Sequence, residues 1–463
     1  MPCGSRFRRF LVLLALLCRA AIVQAQSSTD LSLAPAPAAP APADAETAPE
    51  PPAPFSVHGQ FTNVTQKHPT FRSPYVGPNS LPSSEQAMET VDLTLFLGVR
   101  LWRGAEFYLN PEVDQGYGLA NTLGVAGFPS GEAYKIGNWK PYDRMPRAFV
   151  RQTFALDGGQ SPVASGPNAL AGTKPDNSVT LTVGKFSVVD IFDTNAYAHD
   201  PRADFLNWAV IESGAFDYAA DSWGYTLGAA IEWTQGDWTL RGGYFALSTM
   251  PNAESLQTNF SQNSFVGEVQ RRFTWGDRPG AVRLLAFVDR GNFATYDDAL
   301  AQAGATHTVP TLAPVRRGAD KPGWAANVEQ ELAPGWGTFA RVSANDGRVE
   351  AIEFTEINRS VAAGLSVKGV PWHRADDTVG LAGVVNGMSS QAKAYLAAGG
   401  NGILIGDGQL PHYAQEQIVE AYYAAHLAKY LTVSADFQHI SNPAYNADRG
   451  PVKVFGLRVH AEF

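Results

Sequence analysis

Apolar and polar residues alternate along most of this chain, and short polar breaks punctuate the alternation. In "ETVDLTLFLGVRLWRGAEFYLNPEVDQGYG" (residues 89–118), Val91, Leu93, Leu95, Leu97, Val99 and Leu101 are apolar, with Asp92, Thr94 and Arg100 between them. Past Arg103-Gly104 the rhythm resumes. Phe107, Leu109 and Val113 share one face; Glu106, Asn110, Glu112 and Asp114 share the other. A period of two predicts two β-strands, each with one apolar and one polar face.

The same grammar runs from Phe55 to Phe463. "WGYTLGAAIEWTQGDWTLRGGYF" predicts a hairpin about Gly236-Asp237, a favoured two-residue loop. Gln235 then pairs with Trp238, Trp233 with Leu240 and Glu232 with Arg241, a register that matches apolar to apolar and acid to base. Phe265, Val269 and Phe273 oppose Glu268, Gln270 and Arg272; Leu284, Ala286 and Val288 oppose Arg283 and Asp289. Near the end, Val419, Ala421, Tyr423, Ala425 and Leu427 oppose Glu420 and His426, and Phe455, Leu457, Val459, Ala461 and Phe463 oppose Arg458, His460 and Glu462. No amphipathic helix of about 15 residues or more stands out. Long Gly/Pro/Asn-rich stretches, notably 115–146 and 290–322, separate some strands, and tight turns join others.

The N-terminus reads differently. Arg6, Arg8 and Arg9 precede the apolar run Phe10–Leu17, and Val23-Gln24-Ala25 offers a small-residue cleavage site: a secretory signal peptide over 1–25. Residues 26–54 are Ala/Pro-rich and cannot bury a core, which predicts a disordered spacer. Residues 55–463 form the third unit. The two cysteines, Cys3 and Cys18, both fall in the signal, so a mature chain has no disulfide framework, no Cys-ligated zinc and no thiol nucleophile.

An exported chain of alternating strands, with no apolar run long enough for a membrane helix, points to a transmembrane antiparallel β-barrel in the bacterial outer membrane. A sheet in lipid must close on itself, because lipid cannot satisfy its edges. The apolar face then touches lipid, and the carboxylate face lines a wet lumen. Trp102, Trp233, Trp238, Trp275, Trp324 and Trp336 fall near predicted strand ends, where interfacial girdles form. At roughly 25 residues per strand and loop, the barrel unit holds about 16 strands, with about 14 or about 18 also compatible.

Charge and motifs narrow the chemistry. The formal net charge is −9, and losing Arg6, Arg8, Arg9 and Arg19 with the signal takes it to −13. With no basic run, nucleic acid and anionic membrane surfaces are poor partners. There is no H-E-x-x-H, G-x-S-x-G, P-loop or C-x-x-C, and the nine histidines lack metal-ligand spacing. His426 and Ser434 share the predicted lumen face of neighbouring strands, which keeps an outer-membrane barrel hydrolase as an alternative of another class. Lumen charges are mixed: Glu106, Glu112, Asp114, Glu232, Glu268, Asp289 and Glu329 against Arg147, Arg151, Arg241, Arg272, Arg283, Arg341 and Arg458. A lining of one sign would select ions. A mixed one, with Tyr, Trp, Asn and Gln, suits neutral polyhydroxylated solutes, although each charge taken alone is better read as a lumen salt bridge.

Three long segments, "FYLNPEVDQGYGLANTLGVAGFPSGEAYKIG" (107–137), "PYDRMPRAFVRQTF" (141–154) and "IFDTNAYAHDPRADFLNWAVIESGAFDYAADSWGYTLGAAIEW" (191–233), closely resemble the carbohydrate-selective porins of the OprB family. The likeness runs from about residue 55 to the end and is densest in 88–250. The terminal Phe463 resembles the signature that the outer-membrane assembly machinery recognises; the Pro/Ala-rich spacer has no counterpart in the family. The resemblance implies a barrel of about 16 strands, usually monomeric, passing glucose and related small neutral sugars by facilitated diffusion, with no metal, cofactor or energy coupling. It implies an eyelet narrowed by an inward-folded loop and facing wall charges. The matching positions are Glu112, Asp114, Arg147, Arg151, Asp200 and Arg202 (flanking Pro201) and Trp208. Glu106, Asn110, Glu232 and Arg241 are further lumen-facing positions. Passage requires weak, multiple contacts, hence millimolar-class affinity and a saturable, passive flux. Three other readings stay open: a general or other-substrate diffusion porin, the hydrolase, and a structural barrel with a plugged pore.

Overall fold

The computed structural model describes residues 52–133 and 137–463, in which sixteen antiparallel strands close a barrel. The signal peptide expected at 1–25, and all but the last three residues of the expected spacer, lie outside the described residues. The wall begins with β1 (Phe55–Lys67), β2 (Met88–Trp102), β3 (Ala105–Gly116) and β4 (Asn138–Ala155). A small hairpin, β5 (Gln160–Val163) and β6 (Gly172–Pro175), interrupts it. It continues through β7 (Ser178–Phe186), β8 (Thr226–Gln235), β9 (Trp238–Ala246), β10 (Asn263–Trp275), β11 (Arg278–Phe293) and β12 (Arg317–Ala333). It ends with β13 (Trp336–Asn345), β14 (Arg359–Gly369), β15 (Arg374–Gly387), β16 (Glu416–Ala428), β17 (Leu431–Ser441) and β18 (Val452–Glu462).

The seam joins β1 to β18, from Gln60 opposite Glu462 to Lys67 opposite Phe455. Gly59 and Phe463 exchange two backbone hydrogen bonds, of 2.8 and 2.9 Å. The Phe463 ring lies over Gly59, where a Cβ would come within 2.7 Å of it, so the last residue covers a position only glycine leaves open. The two hairpins read from the sequence form as expected. Trp102 faces Ala105 across Arg103-Gly104, with Gly104 at φ +79°; Glu232 faces Arg241 and Gln235 faces Trp238 across Gly236-Asp237. Tight turns gather at the end that holds both Phe55 and Phe463, where the longer 156–177 connection carrying β5 and β6 also lies, and long loops gather at the other, the periplasmic and extracellular ends of such a barrel.

Apolar strand residues do face outward, as the alternation predicts: Leu381, Val419 and Leu457 are each about half exposed. All six predicted girdle tryptophans are exposed. Five lie toward the tight-turn end, but Trp324 lies midway along β12, opposite Ala344 near the far end of β13.

The interior corrects the wet-lumen expectation. Asn110, Glu112 and Asp114 point inward yet are no more than 1% exposed. Segments 117–133 and 187–225 fold into the barrel and bring Phe128, Phe192, Phe205, Trp208, Ile211 and Phe216 with them. These need apolar cover, and the inner wall supplies it through Tyr108, Phe149, Phe287, Phe339 and Tyr422. The polar face of a strand is therefore here a mixed face, and Glu112 and Asp114 are dry because loops occupy the lumen, while Glu106 and Glu232 stay partly exposed. Two expected loop stretches are also shorter than read. Residues 290–322 carry the end of β11, a helix at Tyr296–Thr306 and the start of β12, while 115–146 ends in β4. Arg272 is exposed near the tight-turn end, bonding the Gly236 carbonyl at 2.5 Å, rather than lining the lumen.

Candidate functional site

The 187–225 segment is held against the wall by side chains that cap its backbone. Glu420 accepts from the Leu206 and Asn207 N–H groups at 2.5 and 3.0 Å. Arg458 donates to the carbonyls of Pro201, Asp204 and Ala203 at 2.6, 2.8 and 3.1 Å. Arg341 donates to Val210 and Ala198 at 2.7 Å each. Asn207 starts a short helix at Trp208–Ile211, its side chain accepting from Ala209 N, and its amide reaches Gly127 O at 2.8 Å and ties the two in-folded segments together.

Between this scaffold and β4 lies a cavity of about 420 Å³. Arg144, Arg147 and Arg151 line it from β4; Glu132, Asp190, Asp200, Arg202 and Glu212 line it from the loops, with Phe128, Trp208, Tyr218, Trp223 and Tyr225 as aromatic faces. Arg147 makes a bidentate pair with Asp190 at 2.7 and 2.6 Å. Burial would raise the Asp190 carboxyl, but Arg147 and its hydrogen bonds outweigh this and hold it below the ordinary carboxylate value. Arg202 reaches Glu132 at 3.2 Å, Asp92 at 3.7 Å and Glu112 at 3.9 Å. The Tyr225 ring lies 5.1 Å from the Arg144 guanidinium and 5.0 Å from that of Arg147. Arg151 sits 5.2 Å from the Tyr108 ring and donates to the Asn168 carbonyl at 3.1 Å.

Of the positions expected at an eyelet, Arg147, Arg151, Asp200, Arg202 and Trp208 meet at this cavity. Trp208 is largely packed, stacked on Phe128 at 5.1 Å, with only part of its indole toward the space. Glu112 and Asp114 sit behind: both bind Arg144, Glu112 at 2.5 Å, and Glu112 also accepts from Thr94 at 2.5 Å. Both carboxylates therefore face Arg144 from outside the cavity, and Glu112 also lies 3.9 Å from Arg202. The other inward positions lie off the cavity. Asn110 bonds Asn168 at 3.0 Å, Glu106 pairs with Arg100 at 3.2 Å, and Arg241 joins Glu232 at 2.9 Å and Glu268 at 2.6 Å. His426 and Ser434 have separate partners: the His426 ring bonds Thr432 at 3.3 Å, and Ser434 accepts from Arg458 at 3.0 Å.

Arg144 escaped the sequence reading for a geometric reason. Counting by twos from Arg151 through Phe149 and Arg147 arrives at Met145, which leaves Arg144 on the lipid face. In the barrel, Asn110 faces Arg147 while Glu112 faces Arg144, so β4 carries one extra residue at Met145-Pro146. The bulge flips the alternation and turns Arg144 inward. Pro146, which has no N–H for the ladder, is the signal that marked it. Asp190, Glu132, Glu212 and Tyr225 come from loops, where no period exists to point them out.

A family model for the carbohydrate-selective porins of the OprB family matches residues 79–463. Porin AaxA of Chlamydia abortus (strain DSM 27085 / S26/3) is 22% identical over 87% of this chain and 72% of its own length. Porin AaxA of Chlamydia pneumoniae is 21% identical over 62% of this chain, which spans 56% of that relative. Among solved structures, the high-pH structure of Pseudomonas putida OprB has a TM-score of 0.65 at 16% identity, over 88% of this chain and 94% of that one, a likeness of fold.

Proposed function

The chain belongs to the OprB family of carbohydrate-selective porins, an outer-membrane β-barrel, and on that footing we propose that it gives neutral sugars a passive, selective route across the bacterial outer membrane. The observation that carries the reading is the cavity lining: guanidinium groups, carboxylates and aromatic faces converge on one space wide enough for a monosaccharide. Sugars offer hydroxyls to charged donors and acceptors, and C–H faces to aromatic rings. Among the described residues, Trp208 Nε1 and Glu212 Oε2 are buried without a protein hydrogen bond, and both residues line the cavity. A passing hydroxyl can bond either. Arg147, Arg151, Asp200, Arg202 and Trp208 are the contact residues of this reading; Glu112 and Asp114 act through Arg144. Arg241 pairs with Glu232 and Glu268, Arg283 with Glu329, and Arg341 and Arg458 with loop backbone, and these keep the opening in shape.

Residues 1–25 are in this reading a cleaved signal and 26–54 a spacer, supported by the basic start, the short apolar run and the Pro/Ala composition. The barrel works as a monomer, assembled through its C-terminal strand. Conduction involves no covalent chemistry, metal or cofactor.

Liposome swelling tests the function. Glucose is expected to swell protein-loaded liposomes faster than a zwitterionic amino acid of similar size, and a disaccharide more slowly. Equal rates for glucose and the amino acid would replace sugar selectivity with general diffusion. Absence of swelling with every solute would leave a plugged barrel.

A further inference from the structure

The barrel seam assembles a basic patch that no run of sequence contains. On the outward face of β18, Lys453 stands two residues from Phe455. His439 of β17 lies directly opposite Lys453, and Lys67 of β1 directly opposite Phe455. Lys67 and Lys453 are exposed, and neither has an ion-pair partner among the described residues. Exposed Arg72 follows just above, its carbonyl accepting from Gly450 N at 2.8 Å. Two acids are near. Glu89 lies on the outward face of β2, opposite Thr65. Asp448 faces Arg72 but is bound to His412 and Tyr75, each at 3.0 Å.

Height decides what this patch meets. At about 3.3 Å per residue and a strand tilt of about 40°, Lys453 stands roughly 25 Å above Phe463, the thickness of the apolar band of an outer-membrane barrel. Below it, Phe455 and Leu457 are about half exposed to lipid, and the Phe437 ring packs on Phe455 at 5.3 Å. Cations crowded at the hydrocarbon edge repel each other and call for an anion. This edge lies at the long-loop end, in the leaflet built from phosphorylated glycolipid.

We propose that Lys67, Lys453 and His439, with Arg72 above them, hold the phosphate of an outer-leaflet glycolipid of the lipid A type, whose acyl chains lie along Phe455, Phe437 and Leu457. The two ammonium groups and the imidazole supply donors to the phosphate oxygens, and the aromatic pair supplies the apolar floor.

The test uses the full barrel in detergent and the double variant K67Q/K453Q, whose fold is verified by heat-modifiable gel mobility. Thermal unfolding is followed with diphosphoryl lipid A, its dephosphorylated form, and inorganic phosphate. Diphosphoryl lipid A is expected to raise the wild-type unfolding temperature, and the double variant to lose at least half of that shift. An equal shift from the dephosphorylated lipid would reduce the contact to acyl packing and overturn the phosphate site. An equal shift from inorganic phosphate would overturn the lipid as its source. An undiminished shift in the double variant would place the binding elsewhere, and no shift with any ligand would remove the site.

Discussion

On β4, Arg147 and Arg151 reach open space; on β13 and β18, Arg341 and Arg458 reach the carbonyls of an in-folded loop. Both walls show the same alternation and the same residue type. The difference lies in what the loop presents to them. Across from β18, residues 201–204 turn unsatisfied carbonyls to the wall, and a buried guanidinium has enough donors for three. Across from β4, the same loop turns side chains (Asp190, Asp200, Arg202) toward a space. One wall holds the loop's backbone and the other meets its side chains, so the partners of a lumen charge are set by the loop it faces.

That contrast can be broken from either side. The largest effect is expected from Arg458→Met, which strips the carbonyls of Pro201, Ala203 and Asp204 of their partner. Leaving them buried and unbonded costs about 3 kcal/mol, read from urea unfolding, and a loosened loop gives noisier single-channel current. Unaltered unfolding would deny the positioning role.

Arg147→Ala should do the reverse. The pair with Asp190 is partly exposed, so stability falls by less than about 1 kcal/mol. With Asp190 left unopposed, selectivity moves toward cations and glucose flux changes about twofold or more, a change of roughly 0.4 kcal/mol in barrier. Reversal potentials and swelling rates check both, and unchanged values would take Arg147 out of the path.

Asp114→Ala should give a smaller shift, toward anions, because Asp114 is sealed behind Arg144 and acts only through it. An effect exceeding that of Arg147→Ala would put Asp114 in the path itself.

The smallest effect concerns pH, in the extracellular loops. Burial pushes the Glu356 carboxyl up to about 7, although the backbone N–H groups of Leu404, Ile405 and Ile403 pull it down. A raised carboxyl favours the protonated folded form. Its contribution is complete below the ordinary value of 4.5 and is lost as pH rises through about 7. Proteolysis of the 399–406 loop should therefore quicken from pH 5 to about 8 and lose this dependence in Glu356→Gln. A flat profile in the wild type would count against burial as the cause.

How much of this was legible in the sequence follows from the same physics. Period two marks a face wherever a strand is regular, so the barrel, the hairpin registers and the inward direction of Asn110, Glu112 and Asp114 could be read. Whether an inward face is wet could not, because that depends on loops folding across it. Glu112, which points inward, reads as a pore-constriction residue; the structure buries it against Arg144 and Thr94, behind the cavity wall. The resemblance to a family located Asp200, Arg202 and Trp208 on a loop that periodicity cannot address. The Lys67–Lys453 patch was invisible for a third reason: it exists only once the two ends of the chain meet.

The extra residue at Met145-Pro146 works like a frameshift. Everything before it is read out of phase with everything after it, up to the next irregularity near Asp114 and Gly116. Gaining or losing one residue in such a strand exchanges the pore-facing and lipid-facing sets at a stroke, with no side chain altered. Lineages of these channels can thus revise what lines the passage by insertion and deletion as well as by substitution. An alignment that slides a gap through this segment to maximise identity would pair a solute contact in one protein with a membrane contact in another.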